Sequence, residues 1–300
     1  PDCSSYTMSY KALLALQATK GKFNRPIAYY EKGMMGVELE QQEFLNDLDT
    51  AIENEEFKVW FQPQVNYSTK RLIGAEALIR WQHPQRGLVP PGEFLPVFES
   101  SSRISELDRY IIDKACKYIK KWSQQMPDIP IVISVNLSRI DIQRQDFVKH
   151  LREITESNRI PISSIRLEIT ESAYMENSEL LIDIVEELHG NGFIVEMDDF
   201  GSGYSSLNVL KDIPIDILKL DMKFLSGSSS TEREKAIIRS VVSMASLLDI
   251  PVIAEGVETK EQADMLLSFG CENMQGYYFS KPVPAEEYEK ILSGSQPIFR

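Results

Sequence analysis

Residues 57–80 read FKVWFQPQVNYSTKRLIGAEALIR, two β-branched and aromatic runs at 57–65 and 71–80 with about five residues between them. A parallel crossover needs about a dozen residues or more, so these strands, if adjacent, form an antiparallel hairpin. Strand-like runs recur downstream at 130–137, 164–170, 192–198, 215–220, 250–255 and 272–278, most of them separated by helical patterns. Ile131–Val135 and Val252–Ala254 are nearly all apolar, as parallel strands covered on both faces should be. Leu107, Ile111, Ala115, Ile119 and Trp122 form one helical stripe, and Ile237, Val241, Ala245 and Leu248 another. Eight strands in this alternation predict an α/β chain folded as a (β/α)8 barrel. The hairpin predicts that the barrel is not a regular one.

Upstream, a helix is expected from about Leu39 to Asn54, with Phe44, Leu45, Leu48 and Ile52 on one face. The first residues read differently. A helical stretch (Ser9 to Thr19) precedes Lys20-Gly21-Lys22 and a strand-like Pro26–Tyr30, and Gly33 and Gly36 then break the chain. The division expected is 1–38 as the tail of a preceding domain plus linker, 39–296 as the barrel, and 297–300 as a short tail. Thr231 with Glu234, and Thr259 with Gln262, have capping-box spacing. Gly190 and Gly270 fit the position after a helix, where a left-handed residue is needed.

Composition narrows the function. The hydrophobic fraction of 43% and charged fraction of 26% are those of a soluble globular protein. A net charge of −13 argues against binding duplex nucleic acid. It leaves room for a small phosphate ligand, because bound metal ions invert the local field. Cys3, Cys116 and Cys271 match no zinc spacing and no disulfide framework, and reduced cytoplasmic thiols are expected. No run approaches a membrane span, so no membrane contact is expected from these residues. The chain opens on Pro1 with no initiator Met or signal peptide. It is therefore expected to be part of a longer polypeptide, which would carry any membrane anchor.

Seven polar residues stand at or just past the ends of the strand-like runs: Glu76, Asn136, Glu168, Asp198, Lys219, Glu255 and Gln275. In barrel enzymes the chemistry sits at the C-terminal ends of the strands. Any one of the carboxylates serves equally well as a helix cap or surface charge. Together they would repel one another unless a cation joined them. Glu76, Asn136, Glu168 and the vicinal pair Asp198-Asp199 make an all-oxygen ligand set, which suits Mg²⁺ or Mn²⁺ and not zinc. His83, His150 and His189 show no ligand spacing. Lys219 reads either as an interior lysine paired with a carboxylate or as a cation near phosphate or water. Arg80 follows Glu76 and reads either as a phosphate contact or as a rim ion pair.

Taken in order, these residues carry a resemblance. Glu76-Ala77-Leu78, Asn136-Leu137-Ser138, Glu168-Ile169-Thr170-Glu171, Asp198-Asp199-Phe200-Gly201-Ser202-Gly203-Tyr204, Lys219-Leu220-Asp221, Glu255-Gly256-Val257-Glu258 and Gln275-Gly276-Tyr277 resemble the motif series of the EAL-domain cyclic-di-GMP phosphodiesterases over about residues 40 to 295. Ser202 stands where the family more often has Thr. Ala12, Ala15, Lys20-Gly21 and Asn24-Arg25 resemble the end of a GGDEF domain, which implies a tandem GGDEF–EAL parent.

The resemblance implies a modified TIM barrel with one antiparallel strand and hydrolysis of cyclic di-GMP to linear pGpG with two divalent ions. Glu76, Asn136, Glu168 and Asp198 would hold one ion; Asp198, Asp199 and Glu255 would serve the second. Lys219 would contact the attacking water, with Glu255, Glu76 and Asp198 completing the catalytic set. Gln62, Arg80 and Gln275 would touch the substrate, and Glu171 would brace the 199–204 loop. A homodimer through the barrel is implied as well. Two other readings stand beside this one: a catalytically silent cyclic-di-GMP receptor, and a barrel acting on an unrelated phosphorylated or sugar substrate.

Overall fold

The computed structural model of the chain describes residues 5–17, 27–200, 210–222 and 232–299. Its strands are β1 (Phe57–Asn66), β2 (Arg71–His83), β3 (Gly87–Val89), β4 (Ile133–Asn136), β5 (Ile165–Thr170), β6 (Ile194–Phe200), β7 (Ile217–Asp221), β8 (Val252–Glu255), β9 (Asn273–Gln275) and β10 (Val283–Pro284). β2 and β4 through β9 run parallel in chain order. β1 closes the ring between β2 and β9, antiparallel to both. The result is an eight-stranded barrel with one reversed strand, as the hairpin required. β1 and β2 pair from Phe57↔Trp81 to Asn66↔Arg71, with a bulge between Gln64 and Val65. β3 and β10 extend the sheet outside the ring. At two or three residues each, they are too short to show an alternating pattern in sequence.

Strand parity assigns the two faces. Val135, Leu167, Val195, Leu218, Ala254 and Met274 are fully buried within the main apolar core. The alternate residues face the barrel axis, and many of them are polar: Gln62 and Gln64, Glu76, Ser134, Arg166 and Glu168, Glu196 and Asp198, Lys219 and Gln275. A second apolar cluster covers the far end of the hairpin. Trp81 is fully buried there, its ring 4.9 Å from Phe57, 5.2 Å from Phe44 and 5.6 Å from Phe94. Its indole N–H donates to Glu56 at 3.1 Å. Such aromatic pairs contribute about 1 kcal/mol each beyond their area burial.

The helices used below are α1 (Ser5–Gln17), α2 (Lys32–Glu53), α3 (Pro91–Ser100), α4 (Ile104–Gln125), α5 (Arg139–Ile142), α6 (Phe147–Asn158), α7 (Glu171–Glu176), α8 (Ser178–Gly190), α9 (Glu232–Leu247) and α10 (Lys260–Ser268). Several differ from the sequence reading. α2 begins at Lys32 and runs through Gly33 and Gly36, which do not break the chain. Twenty-two residues with Phe44 and Leu48 buried along one face outweigh the roughly 1 kcal/mol cost of each interior glycine. Residues 27–30 form no strand, and Pro26 lies outside the described residues. Gly190 is the last residue of α8; the left-handed position behind that helix belongs to Gly192, at φ +85°. Gly270, at φ +91°, does follow α10 as expected.

α9 turns a different stripe inward. Ile238, Val242 and Ala245 are buried, whereas Ile237 is half exposed and Leu248 lies past the helix end. Both stripes have helical spacing, so periodicity alone could not choose between them. Thr259 and Gln262 form the expected capping box at the start of α10; Thr231 lies outside the described residues. Among the described residues, no helix is long and apolar enough to cross a membrane.

Candidate active site

Parallel pairing sets the strand ends level with one another: Asn136 beside Glu168, Thr170 beside Asp198, and Asp221 beside Glu255. Side chains of one parity therefore converge on the axis at the C-terminal mouth. Lys219, from the middle of β7, rises into their centre. Its Nζ lies 2.7 Å from Glu255 Oε1, 2.8 Å from Glu168 Oε2, 3.3 Å from Asp198 Oδ1 and 3.5 Å from Glu76 Oε2. Five residues named from the sequence thus meet at one point, although Glu76 and Lys219 stand inside β2 and β7 and not at the strand ends expected.

Amide side chains hold Glu76 in place. Asn136 Nδ2 donates to Glu76 Oε1 at 2.9 Å, and Gln275 Nε2 donates to Glu76 Oε2 at 2.6 Å and to Gln62 Oε1 at 3.2 Å. Gln62 Nε2 in turn donates to the Ser280 carbonyl at 3.3 Å. The reversal of β1 makes this possible, because it places Gln62 directly opposite Glu76 in the hairpin register.

The charges do not balance. Four carboxylates face one ammonium, an excess of three negative charges if all are ionised. Burial disfavours charge on Lys219, but Glu168, Glu255, Glu76 and Asp198 overcome it and hold the ammonium well above its ordinary pKa. Burial would likewise lift Glu76, yet Lys219 and the Gln275 and Asn136 amides keep it below its ordinary value. Glu168 is pushed well up by burial and by the charge of Glu76. Burial, against the pull of Lys219, raises Glu255 to about 8. Glu168 and Lys219 Nζ also lie within ion-pair distance but off hydrogen-bond geometry. Buried, all-oxygen and short of positive charge, this donor set fits a hard divalent cation. The carboxylates gather on Lys219, and among the described residues no three His, Cys, Asp or Glu side chains stand spread as a ready coordination shell.

The remaining candidates lie around this centre. β6 shifts register between Met197 and Phe200, and Asp199 sits in that bulge at φ +54°, its N–H donating to Asp198 Oδ1 at 2.8 Å. The bulge turns the second Asp out of strand alternation. Glu171 is buried as the first residue of α7, directly after β5. Of the 199–204 loop that it was expected to brace, residues 201–204 lie outside the described residues. Arg80 has the parity of Glu76, four residues beyond it on β2; its guanidinium lies 5.5 Å over the Trp60 ring and donates to the Ile79 carbonyl at 2.7 Å.

A cavity of about 460 Å³ opens above the cluster, lined among others by Gln62, Glu76, Leu78, Glu255, Gln275 and Tyr277. That is within the range of small-molecule sites. Asp221, Glu258 and Gln262 line it too, although none was named as a site residue from the sequence. Parity would have found Asp221, two residues beyond the inward Lys219. Gly276 sets the rear wall. A Cβ there would overlap the Val257 backbone, so only glycine lets this loop close on the β8 loop. Val257 N–H donates to the Gln275 carbonyl at 3.1 Å across the contact.

Comparison with known proteins places this geometry. The family model described as the EAL domain matches residues 45–282. The chain is 33% identical, over 91% of its length, to the bifunctional diguanylate cyclase/cyclic di-GMP phosphodiesterase MucR of Pseudomonas aeruginosa, and spans 40% of that protein. It is 34% identical to the signaling protein YkoW of Bacillus subtilis over 94% of the chain, and spans 35% of YkoW. Among solved structures, a PaMucR phosphodiesterase in complex with c-di-GMP superposes with a TM-score of 0.77 at 34% identity, covering 82% of this chain and 99% of that one. The EAL enzyme Bd1971, bound to cAMP and cyclic di-GMP, superposes with a TM-score of 0.80 at 31% identity, covering 97% of this chain and 76% of that one.

Proposed function

The chain belongs to the EAL domain family, and on that premise we propose that it is a phosphodiesterase specific for cyclic di-GMP, opening one phosphodiester bond to give linear pGpG. The observation that carries the reading is Lys219 held by Glu76, Glu168, Asp198 and Glu255 beneath a cavity of ligand size.

Two divalent ions, Mg²⁺ or Mn²⁺, would be held by Glu76, Asn136, Glu168, Asp198, Asp199 and Glu255. Bound there, they lower the pKa of water and offset charge on the phosphate. The residues of the chain do the rest. Water adds to one phosphorus as the P–O3′ bond breaks, and its proton passes to the departing oxygen. Lys219, kept protonated by its carboxylates, donates to the attacking oxygen and fixes its line of approach. Gln275 and Asn136 fix the orientation of Glu76. Gln62 and Arg80 steady the dinucleotide above the mouth. Tyr277, half exposed on the cavity wall, offers a flat face to a base.

One observation favours the silent-receptor reading: the carboxylates close on Lys219, and among the described residues no three His, Cys, Asp or Glu side chains stand spread as a coordination shell. Incubating the purified chain with cyclic di-GMP and either metal separates the two. Conversion to pGpG supports the enzyme; binding without conversion supports the receptor. A homodimer through the barrel and a cytoplasmic location belong to the same proposal, and light scattering of the purified chain tests the first.

A further inference from the structure

Below the acid cluster the barrel interior stays polar. Gln64 and Ser134 are fully buried, and Gln64 Nε2, Gln64 Oε1 and Ser134 Oγ find no hydrogen-bond partner among the described residues. Beside them Arg166 pairs with the fully buried Glu196 at 3.1 Å, leaving Arg166 Nε and Glu196 Oε2 likewise without partners. Strand parity turns all four side chains to the inner wall, and the register sets Ser134 beside Arg166. Gln64 lies opposite Gly74, Glu76 beside Ser134, Ser134 beside Arg166, and Glu168 beside Glu196. Gly74 leaves room for the amide, since a Cβ there would stand 3.2 Å from Gln64 Oε1 and 3.0 Å from the Val132 carbonyl.

Five buried polar atoms on the inner face of one barrel call for a partner, because each otherwise carries its full desolvation penalty. Their chemistry selects it. Gln64 Nε2 and Arg166 Nε donate, Gln64 Oε1 and Glu196 Oε2 accept, and Ser134 Oγ does either. The patch has no net charge, since Arg166 offsets Glu196. A cation would meet the guanidinium and an anion the carboxylate. Water, which donates and accepts, satisfies all five.

We propose that the barrel interior beneath the catalytic carboxylates is an internal water-binding site, walled by Gln64, Ser134, Arg166 and Glu196. Its water links the ion pair to the underside of Glu168, the carboxylate two residues above Arg166 on the same face. Gln64 and Ser134 then form the floor beneath Glu168. The water site goes beyond the phosphodiesterase reading and stands without it; only the role of its floor beneath Glu168 rests on that reading.

High-resolution crystallography of the unaltered chain tests it directly. Ordered water within hydrogen-bond distance of the Gln64 amide and Ser134 Oγ is expected. Side chains bonded directly to one another around a dry interior would overturn the proposal. The Gln64→Met variant tests it in solution, because Met fills similar volume without polar atoms. A hydrated site predicts a Tm lower by about 2–4 °C for each net hydrogen bond lost. An unchanged or higher Tm would mean that two unmet polar atoms had been removed from a dry core, and the proposal would fail.

Discussion

The Nζ of Lys219 and the Oε2 of Glu168 stand 2.8 Å apart, with neither side chain exposed to solvent. A buried ammonium is stable only while its carboxylates surround it, and they only while it remains. Removing one partner of such a pair costs about 3–5 kcal/mol. The Lys219→Met variant is therefore expected to unfold at lower urea concentration than the parent when both are metal-free. An unchanged midpoint would show that the lysine is not the counter-ion of the cluster.

Loss of the lysine is expected to act on turnover more than on affinity. Lys219 lies below the cavity and not in its lining, so it meets the reacting oxygen and not the bulk of the ligand. Lys219→Ala should lower kcat by about 10²–10³-fold with a much smaller change in KM. The opposite pattern in steady-state kinetics would assign the lysine to binding.

Glu76 is expected to be indispensable. It is the carboxylate held from both sides by amides, Asn136 at 2.9 Å and Gln275 at 2.6 Å. Glu76→Ala should lower turnover by more than about 100-fold, since removing even the partners of a metal ligand costs about 10–100-fold. A variant retaining the parental rate would remove Glu76 from the metal set.

Gly276 carries a steric prediction. Gly276→Ala forces the 276 loop away from Val257, at a cost of about 1–3 kcal/mol, and shifts Gln275 off Glu76. Stability and turnover should fall together. Parental turnover in this variant would show that the contact does not position the site.

Asp108 lies buried in α4, outside the acid cluster. Burial, then the charge of neighbouring Asp141, pushes its carboxyl well above the ordinary value of 3.8. The folded state therefore holds this proton over a pH range in which the unfolded chain has lost it. Stability is highest below that range and falls as pH rises from about 4 towards the folded pKa. Asp108→Asn keeps an acceptor for the Ser138 N–H, 3.2 Å away, and removes the titration. Its stability relative to the parent should grow with pH when urea midpoints are compared at acid, neutral and alkaline pH. A gap independent of pH would contradict the assignment.

Eight barrel strands were legible because alternation and apolar runs are local properties, and the hairpin was legible because a short connection forbids a parallel crossover. Glu76, Glu168, Asp198, Lys219 and Glu255 were legible as polar residues interrupting or ending those runs, although Glu76 and Lys219 lie inside their strands. The stripe of α9 was not, because 237/241/245 and 238/242/245 are equally helical and only packing against the barrel chooses. Gly33 and Gly36 misled, since glycine marks a break only where nothing else holds the helix. The Arg166–Glu196 pair was missed, although both residues share the inward parity of Glu168 and Asp198. Reading parity downward from the site residues would have found it.

The central claim is that these residues hydrolyse cyclic di-GMP. The direct measurement is incubation of the purified chain with cyclic di-GMP in Mg²⁺ or Mn²⁺, with chromatographic separation of the nucleotides. Metal-dependent appearance of linear pGpG, abolished in Glu76→Ala, is the predicted result. Cyclic di-GMP bound but recovered intact with both metals would contradict it.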